Sequence, residues 1–169
     1  MNYGGELREA PKLLVTCRST SIEMCEHEIG DVIYPRDPSV RVERSKYSGL
    51  LLVYTYLSPE KAYAITSHRE YGFVENIIPV NCVLEYPASS SVIRECLERI
   101  VKTRVVKVKV RSRGVRGISR ELFKLVMGLL SGMGVVHDTR SRTCLYVEVV
   151  ESSLYIGVGS CHPVFKASI

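Results

Sequence analysis

The sequence has 169 residues, of which 46% are hydrophobic and 24% charged, and its formal net charge is +5. That length allows one domain or two small ones, and the composition is ordinary for a soluble protein that fills a core. No apolar run approaches the roughly 18 residues of a membrane span. The polar first segment, MNYGGELREAPK, is unlike a secretory signal, so we expect a cytoplasmic protein.

The first half of the chain predicts a β-α-β-β-α-β order after a polar leader at 1–11. The predicted elements, in chain order, are a strand at Lys12–Cys17, a helix within Ser19–Gly30, strands at Val40–Ser45 and Leu50–Tyr56, a helix from Ser58 to about Tyr71 and an extended segment within Phe73–Tyr86. The second helix has a serine cap followed by proline and glutamate, which favours a helix start. This order is typical of a ferredoxin-like domain, which we expect to occupy residues 1–86.

The second half begins after Pro87–Ser91 (PASSS), a small polar segment that we interpret as a linker. Its predicted elements are a helix from Val92 to about Lys102, a strand at Val105–Arg111, a helix around Leu122–Leu129, and strands at Cys144–Val150 and Leu154–Val158. The fold class is therefore α+β, with an α/β domain over residues 87–169.

Basic residues are concentrated in this second half. Residues 1–92 carry 9 basic and 12 acidic side chains, whereas residues 93–169 carry 14 and 6. Nine of the cations fall between Arg99 and Arg120 without a single acid. In the predicted strand, three valines alternate with Lys107, Lys109 and Arg111, so the three cations share one face and repel one another.

An RNA backbone would relieve that repulsion, because phosphates neutralise basic side chains and release counterions. The glycine-bracketed loop with Arg113 and Arg116, and the next helix start with Arg120 and Lys124, add cations to the same region. We therefore predict an RNA-binding surface. The alternative is a solvated basic face with no partner.

No catalytic or metal site is predicted. Six cysteines and four histidines include no Cys-x-x-Cys pair, and His68-Arg69-Glu70 matches only half of the nucleobase deaminase signature. Phosphate-binding loops and a nucleophile elbow are missing from the sequence. We expect no enzyme, no cofactor and no metal, and interpret His68 as a cap on its helix.

Cysteine pairing stays open at the level of sequence. Free buried thiols are usual in a reducing cytosol. However, the chain has no Gln and only three Asn, a depletion typical of thermophiles, whose intracellular proteins often hold disulfides. One or two disulfides are compatible with the sequence, but spacing does not assign them.

The second half resembles a THUMP domain. The matching segments are the basic strand and loop KVKVRSRG, the helix start SRELFKLVMGLL and the pair LYVEVV and LYIGVG. In the first half, VERSKYSGLLLVYT resembles the central hairpin of the ferredoxin-like domain that usually precedes a THUMP domain. The resemblance covers residues 12–160 and implies binding of tRNA.

THUMP enzymes carry a catalytic domain after this module, whereas here about nine residues follow Ser160. The chain is therefore similar to stand-alone THUMP proteins that assist acetylation of cytidine in tRNA by a separate acetyltransferase. This resemblance implies a non-catalytic adaptor that holds the acceptor region of tRNA, with Arg111, Arg113, Arg116, Arg120 and Lys124 at the contact surface.

One segment departs from the family pattern. Asp138 is followed by TRSRT in place of a short Pro-Asp element, so Arg140 and Arg142 are either extra phosphate contacts or part of a divergent turn. The predicted RNA-binding residues are Lys107, Lys109, Arg111, Arg113, Arg116, Arg120, Lys124, Arg140 and Arg142. Two other hypotheses are an RNA-modifying enzyme with an unrecognised site and a subunit whose basic face binds an acidic protein.

Overall fold

The computed structural model describes residues 9–18 and 21–167 and forms a mixed α+β fold, as predicted. Most of the predicted polar leader lies outside the described residues. The elements are β1 (Leu13–Cys17), α1 (Ile22–Ile33), β2 (Arg41–Arg44), β3 (Leu50–Tyr54), α2 (Pro59–Thr66), β4 (Arg69–Tyr71), β5 (Val74–Pro79), β6 (Cys82–Glu85), α3 (Ser90–Ile100), β7 (Val105–Arg113), α4 (Ser119–Gly132), β8 (Val136–His137), β9 (Thr143–Val150), β10 (Ser153–Ser160) and β11 (Val164–Lys166). No helix in these ranges is long and apolar enough to cross a membrane.

The first sheet is antiparallel, with the strand order β2-β3-β1-β5. With α1 after β1 and α2 after β3, this is the ferredoxin-like arrangement expected from the sequence. Helix α1 buries Cys25, Ile29 and Ile33, which recur every four residues and so lie on one helix face. They pack with Leu13 and Val15 of β1 in the core between helices and sheet.

The second sheet has the order β6-β10-β9-β7-β8. Strand β7 runs parallel to both of its neighbours, β9 and β8, and β10 joins β9 as an antiparallel hairpin. Helices α3 and α4 contribute Leu97, Leu122 and Val126 to a core that also contains Val106 and Val108 of β7. The valines of the alternating strand therefore face the helices.

The two sheets meet through the faces that their helices leave uncovered. Leu14, Leu50 and Ile78 of the first sheet form one buried cluster with Tyr146 and Tyr155 of the second. We call this cluster the seam. It fixes the second sheet against the first and so brings the middle of β7, at Lys109 and Arg111, close to Thr16 of β1 and Asn76 of β5.

Several elements differ from the sequence prediction. Helix α2 ends at Thr66, and Arg69–Tyr71, which the sequence assigns to this helix, form the short strand β4 instead. The extended segment Phe73–Tyr86 is divided, because β5 joins the first sheet and β6 joins the second. Strands β8 and β11 were not predicted. They are two and three residues long, too short for a periodic hydrophobic pattern.

The division of the chain into domains at residue 86 stays a prediction. Strand β6 lies before residue 86 but pairs with β10 of the second half. Strand β11, near the end of the described chain, pairs with β4 of the first half. The backbone therefore crosses between the halves in both directions.

All six cysteines are paired, which gives three disulfides where the sequence leaves the pairing open and allows one or two. The disulfides join Cys17 to Cys25, Cys82 to Cys96 and Cys144 to Cys161. The first two tie a strand to the helix that follows it, and the third ties the start of β9 to the residue after β10. Spacing could not assign them, because six cysteines allow 15 pairings.

We expect reduction of the disulfides to destabilise the protein. Closing loops of 8, 14 and 17 residues restricts the unfolded chain and contributes about 3 kcal/mol for each bond in the chain-entropy model. Denaturant titrations with and without reductant should show a large loss in the free energy of unfolding. Alkylation of the unreduced, denatured protein followed by mass spectrometry provides the control, and labelled cysteines there would contradict the pairing.

Candidate nucleic-acid interface

The predicted basic strand exists and presents its cations on one face. Lys107, Lys109, Arg111 and Arg113 alternate along β7 with residues whose side chains face the helices. Their partners across the parallel pairing with β9 are Cys144, Tyr146, Glu148 and Val150. The cation row therefore runs along the same face of the sheet as the seam.

The cations of this row repel one another. Lys109 is partly buried, with its Nζ 5.7 Å from the centroid of the Tyr146 ring. Burial lowers the pKa of Lys109, and the neighbouring charges of Lys107 and Arg111 lower it further. The strand thus holds like charges close together where water screens them incompletely, and an anion would stabilise this arrangement.

Arg113 differs from the other members of the row because it has an acidic partner. Its Nη1 donates a hydrogen bond of 2.9 Å to Oε2 of Glu148, and the two side chains are only 19% and 2% exposed. The segment from Arg99 to Arg120 contains no acidic residue, but strand β9 places Glu148 beside it in the folded structure. Arg113 is therefore already neutralised, and Lys109 and Arg111 are better placed to bind an anion.

A groove lies beside the row, between the two sheets. Its volume is about 300 Å³, and its walls include Lys109 and Arg111 from β7 and Thr16 and Asn76 from the first sheet. The segment after β10 closes it with His162 and Lys166, and Glu75 adds one acid. Lys109, Arg111 and Lys166 thus surround a cavity that also offers hydroxyl and amide groups for hydrogen bonding.

Sequence reasoning missed His162 and Lys166. Lys166 stands alone near the end of the chain, with no basic neighbour in sequence. It reaches the groove because β11 pairs in parallel with β4, in the register Lys166 to Tyr71. Nothing in the local sequence signals this long-range pairing.

The predicted residues of the loop and of α4 lie in a different layer. On α4, Leu122 and Val126 are buried against the sheet, whereas Arg120 and Lys124 are exposed. Arg116 is exposed in the loop before this helix. Helix α4 covers the face of the sheet opposite to the cation row. Arg116, Arg120 and Lys124 therefore form a second basic surface, which meets the row at the end of β7.

Arg140 and Arg142 lie at the other end of β7. The turn that carries them begins at Asp138, whose N–H donates to the carbonyl of Val106. Arg140 pairs with Asp138 at 3.3 Å but remains 89% exposed, and Arg142 is exposed. From Val105 to Arg113 the strand extends by about 26 Å, so the predicted residues are spread over its full length.

His68 is not on a helix face, so its interpretation as a helix cap is wrong. It follows the end of α2 with a φ of +60°, its N–H donates to the carbonyl of Pro163, and its ring packs 6.1 Å from that of Phe165. Across the residues that the structure describes, no three His, Cys, Asp or Glu side chains gather as a metal site would require.

No family model matches the chain, and no curated protein matches its sequence. Among solved structures, it is similar to PH1313 from Pyrococcus horikoshii OT3, with a TM-score of 0.66 and 15% identity over 93% of this chain and 56% of that one.

Two further structures share the architecture. TrmN from Thermus thermophilus matches with a TM-score of 0.58 and 18% identity, over 86% of this chain and 44% of its own. A 4-thiouridine synthetase, solved as an RNA complex with bound ATP, matches with a TM-score of 0.50 and 16% identity, over 93% of this chain and 43% of its own.

The fold is THUMP-like. The predicted class, with a ferredoxin-like half followed by a THUMP-like half, is confirmed by these neighbours. The chain spans about half of the length of the structures it matches, so at this level of identity they show its architecture alone.

The prediction that the chain is not an enzyme is wrong. It depended on the missing catalytic motifs and on the few residues after Ser160. The neighbours of this fold include TrmN and a 4-thiouridine synthetase, in which the matched part is less than half of the chain. Neither the motifs nor the position where this sequence ends therefore excludes a place in an enzyme.

Titration of Glu148 should affect stability in a defined direction. Burial raises its pKa above the ordinary value of 4.5, against the opposing effect of Arg113 and Arg111. Because the pKa is raised in the folded state, the stabilisation that Glu148 contributes is fully present below pH 4.5. This stabilisation is lost as the pH rises through the folded-state pKa. Relative to Glu148→Gln, the wild-type free energy of unfolding should fall as the pH rises above about 4.5.

Urea titrations from pH 4 to pH 8 would measure this difference. The exposed Glu121→Gln variant controls for the loss of one negative charge. A wild-type advantage that instead grows with pH would show that the Arg113 pair outweighs the desolvation of Glu148.

Proposed function

We propose that this chain binds tRNA along the cation row of β7 and in the adjoining groove, and that the tRNA is held there for a modification reaction. The observation that carries the proposal is the row itself. Lys107, Lys109 and Arg111 are kept close together by the strand, and burial together with the two neighbouring charges lowers the pKa of Lys109. Phosphates of a nucleic acid backbone are the partners that relieve such repulsion along a line of charges.

The groove supports a single-stranded target. A cavity of about 300 Å³ is at the lower end of the range for ligand pockets and is too narrow for a duplex. Single-stranded ends, by contrast, offer bases that can be separated and hydrogen-bonded individually. The side chains of Thr16 and Asn76 provide such hydrogen-bonding groups beside Lys109 and Arg111. We therefore propose the acceptor end of tRNA as the part that enters the groove.

The family resemblance supports a specific reaction. The segments KVKVRSRG and SRELFKLVMGLL resemble a THUMP domain, a module of tRNA-modifying proteins that include the adaptors of cytidine acetylation. We propose acetylation of a cytidine in tRNA as the reaction served, with a tRNA acetyltransferase as the partner. A solved neighbour of the same fold is itself a synthetase in complex with RNA, which supports the link between this architecture and RNA modification.

Two double variants separate the cation row from the α4 surface. Lys109→Ala/Arg111→Ala should weaken tRNA binding by about 3 kcal/mol and reduce the slope of log K against log salt by about two, because two phosphate contacts are lost. Arg120→Ala/Lys124→Ala removes the same charge from the opposite layer and should have a smaller effect. Filter binding with total tRNA across a salt series measures both quantities.

Trimming the 3′ end of the tRNA completes this experiment. Wild-type affinity should fall on trimming, whereas the affinity of Lys109→Ala/Arg111→Ala should change little, because its groove is already impaired. A larger loss in the α4 variant would place the RNA on the helix layer and overturn the role of the row. Failure of the wild-type chain to bind tRNA at low salt would overturn the proposed function.

A further inference from the structure

A second cationic cavity lies in the first half of the chain, where the sequence predicts no binding residue. Its volume is about 310 Å³. The end of β1, the start of α1 and the turn between β2 and β3 form its walls, with Arg18, Arg44 and Lys46 as the charged residues. This basic cavity stands out because residues 1–92 carry more acids than bases overall.

Arg18 supplies the main evidence for a missing partner. Its Nη2 is buried and has no hydrogen-bond partner within residues 9–18 and 21–167. A guanidinium group has five N–H donors, and a buried donor that bonds nothing costs free energy in the folded state. Such groups are rare, and an anion in the adjoining cavity would satisfy this one.

The other two cations of the cavity have carboxylate partners. Arg44 pairs with Glu26 of α1, and Lys46 pairs with Glu151 of the β9–β10 turn. Their side chains are more than half exposed, so these are surface pairs that contribute little and exchange readily. A phosphate group could therefore replace these carboxylates as the partner of Arg44 and Lys46.

The cavity continues the path of the first groove. Thr16 lines the groove and Arg18 lines the cavity, and residues two positions apart along the chain are at most about 7 Å apart. The β2–β3 turn also contacts the second half directly. The Tyr47 hydroxyl donates to Glu151 at 3.0 Å, and a Cβ on Gly114 would clash with that hydroxyl oxygen. The two cavities are thus adjacent sections of one basic surface.

We infer that the cavity bounded by Arg18, Arg44 and Lys46 is a phosphate-binding site that takes a backbone phosphodiester of the RNA bound at β7. This inference rests on the proposed function and extends it, since the RNA then contacts both halves of the chain. The guanidinium of Arg18 donates to the phosphate from inside the cavity, while Arg44 and Lys46 add charge at its rim.

The test compares Arg18→Ala with Arg36→Ala in tRNA binding across a salt series. Arg36 is an exposed cation just beyond the other end of α1, a helix of 12 residues and so about 18 Å long. Arg18→Ala should weaken binding about tenfold and lower the salt slope by about one, because one charged hydrogen-bonded phosphate contact is lost. Arg36→Ala should leave affinity and slope unchanged.

The outcomes separate the two proposals. Wild-type binding with identical behaviour of Arg18→Ala and Arg36→Ala would overturn the phosphate site and leave the proposed function intact. Absence of wild-type binding would overturn both. Thermal unfolding of Arg18→Ala establishes whether any loss of affinity comes from unfolding.

A second variant makes the site testable even if Arg18→Ala is unstable. Glu26→Gln removes the negative charge that pairs with Arg44. It replaces only one carboxylate oxygen of a partly exposed side chain by an amide nitrogen. Freed from its pair, Arg44 should bind the phosphate more strongly, and tRNA affinity should rise about threefold. The same substitution at Glu23, in the first turn of α1, is the matched control for a lost acid. An equal rise in both variants would show a general charge effect and overturn the site.

Discussion

The alternation of β7 is the constraint on which the rest of the molecule depends. Val106 and Val108 must face α3 and α4, because they complete the core under those helices. Since the side-chain period of a strand is two, Lys107, Lys109 and Arg111 must then lie together on the other face. The seam between the sheets covers part of that face, so Lys107 and Lys109 are partly buried beside apolar residues, whereas Arg111 is exposed.

Carboxylates modulate this charge without cancelling it. Glu148 neutralises Arg113 at the end of the row, at the cost of its own desolvation. Glu26 and Glu151 similarly pair with cations around the second cavity. The row and the groove keep Lys109, Arg111 and Lys166 without ion pairs among the residues that the structure describes. A surface with such uncompensated cations attracts anions.

The sequence predicts what is locally encoded. The strict alternation from Val106 onward identifies β7 and the face of its cations, and the Ser58-Pro59 start identifies α2, whose cap the structure confirms through the hydrogen bond from Lys61 N to Ser58 Oγ. The ferredoxin-like order follows from the same local signals. In β7, for example, the alternation that predicts the strand is also the alternation that places its valines in the core.

Features that depend on distant pairing could not be predicted. Strand β11 brings Lys166 to the groove only through β4, and β6 leaves the first half to join β10. The segment Arg99–Arg120 contains no acidic residue, so nothing in the sequence indicates that Glu148 lies beside it. Glu148 becomes a neighbour of Arg111 and Arg113 only through the parallel pairing of β7 with β9. The separation of Arg120 and Lys124 from the row could not be predicted from the sequence either. A helix and a strand that are adjacent in sequence here present their cations on opposite sides of one sheet.

The central claim is that RNA contacts the face of the second sheet that carries the row, and ultraviolet cross-linking of the chain to tRNA tests it most directly. Peptide mapping by mass spectrometry should place cross-links within β7 and within residues 161–166, which flank the groove. Cross-links confined to α3 and α4 would contradict the account, because those helices cover the opposite face of the sheet.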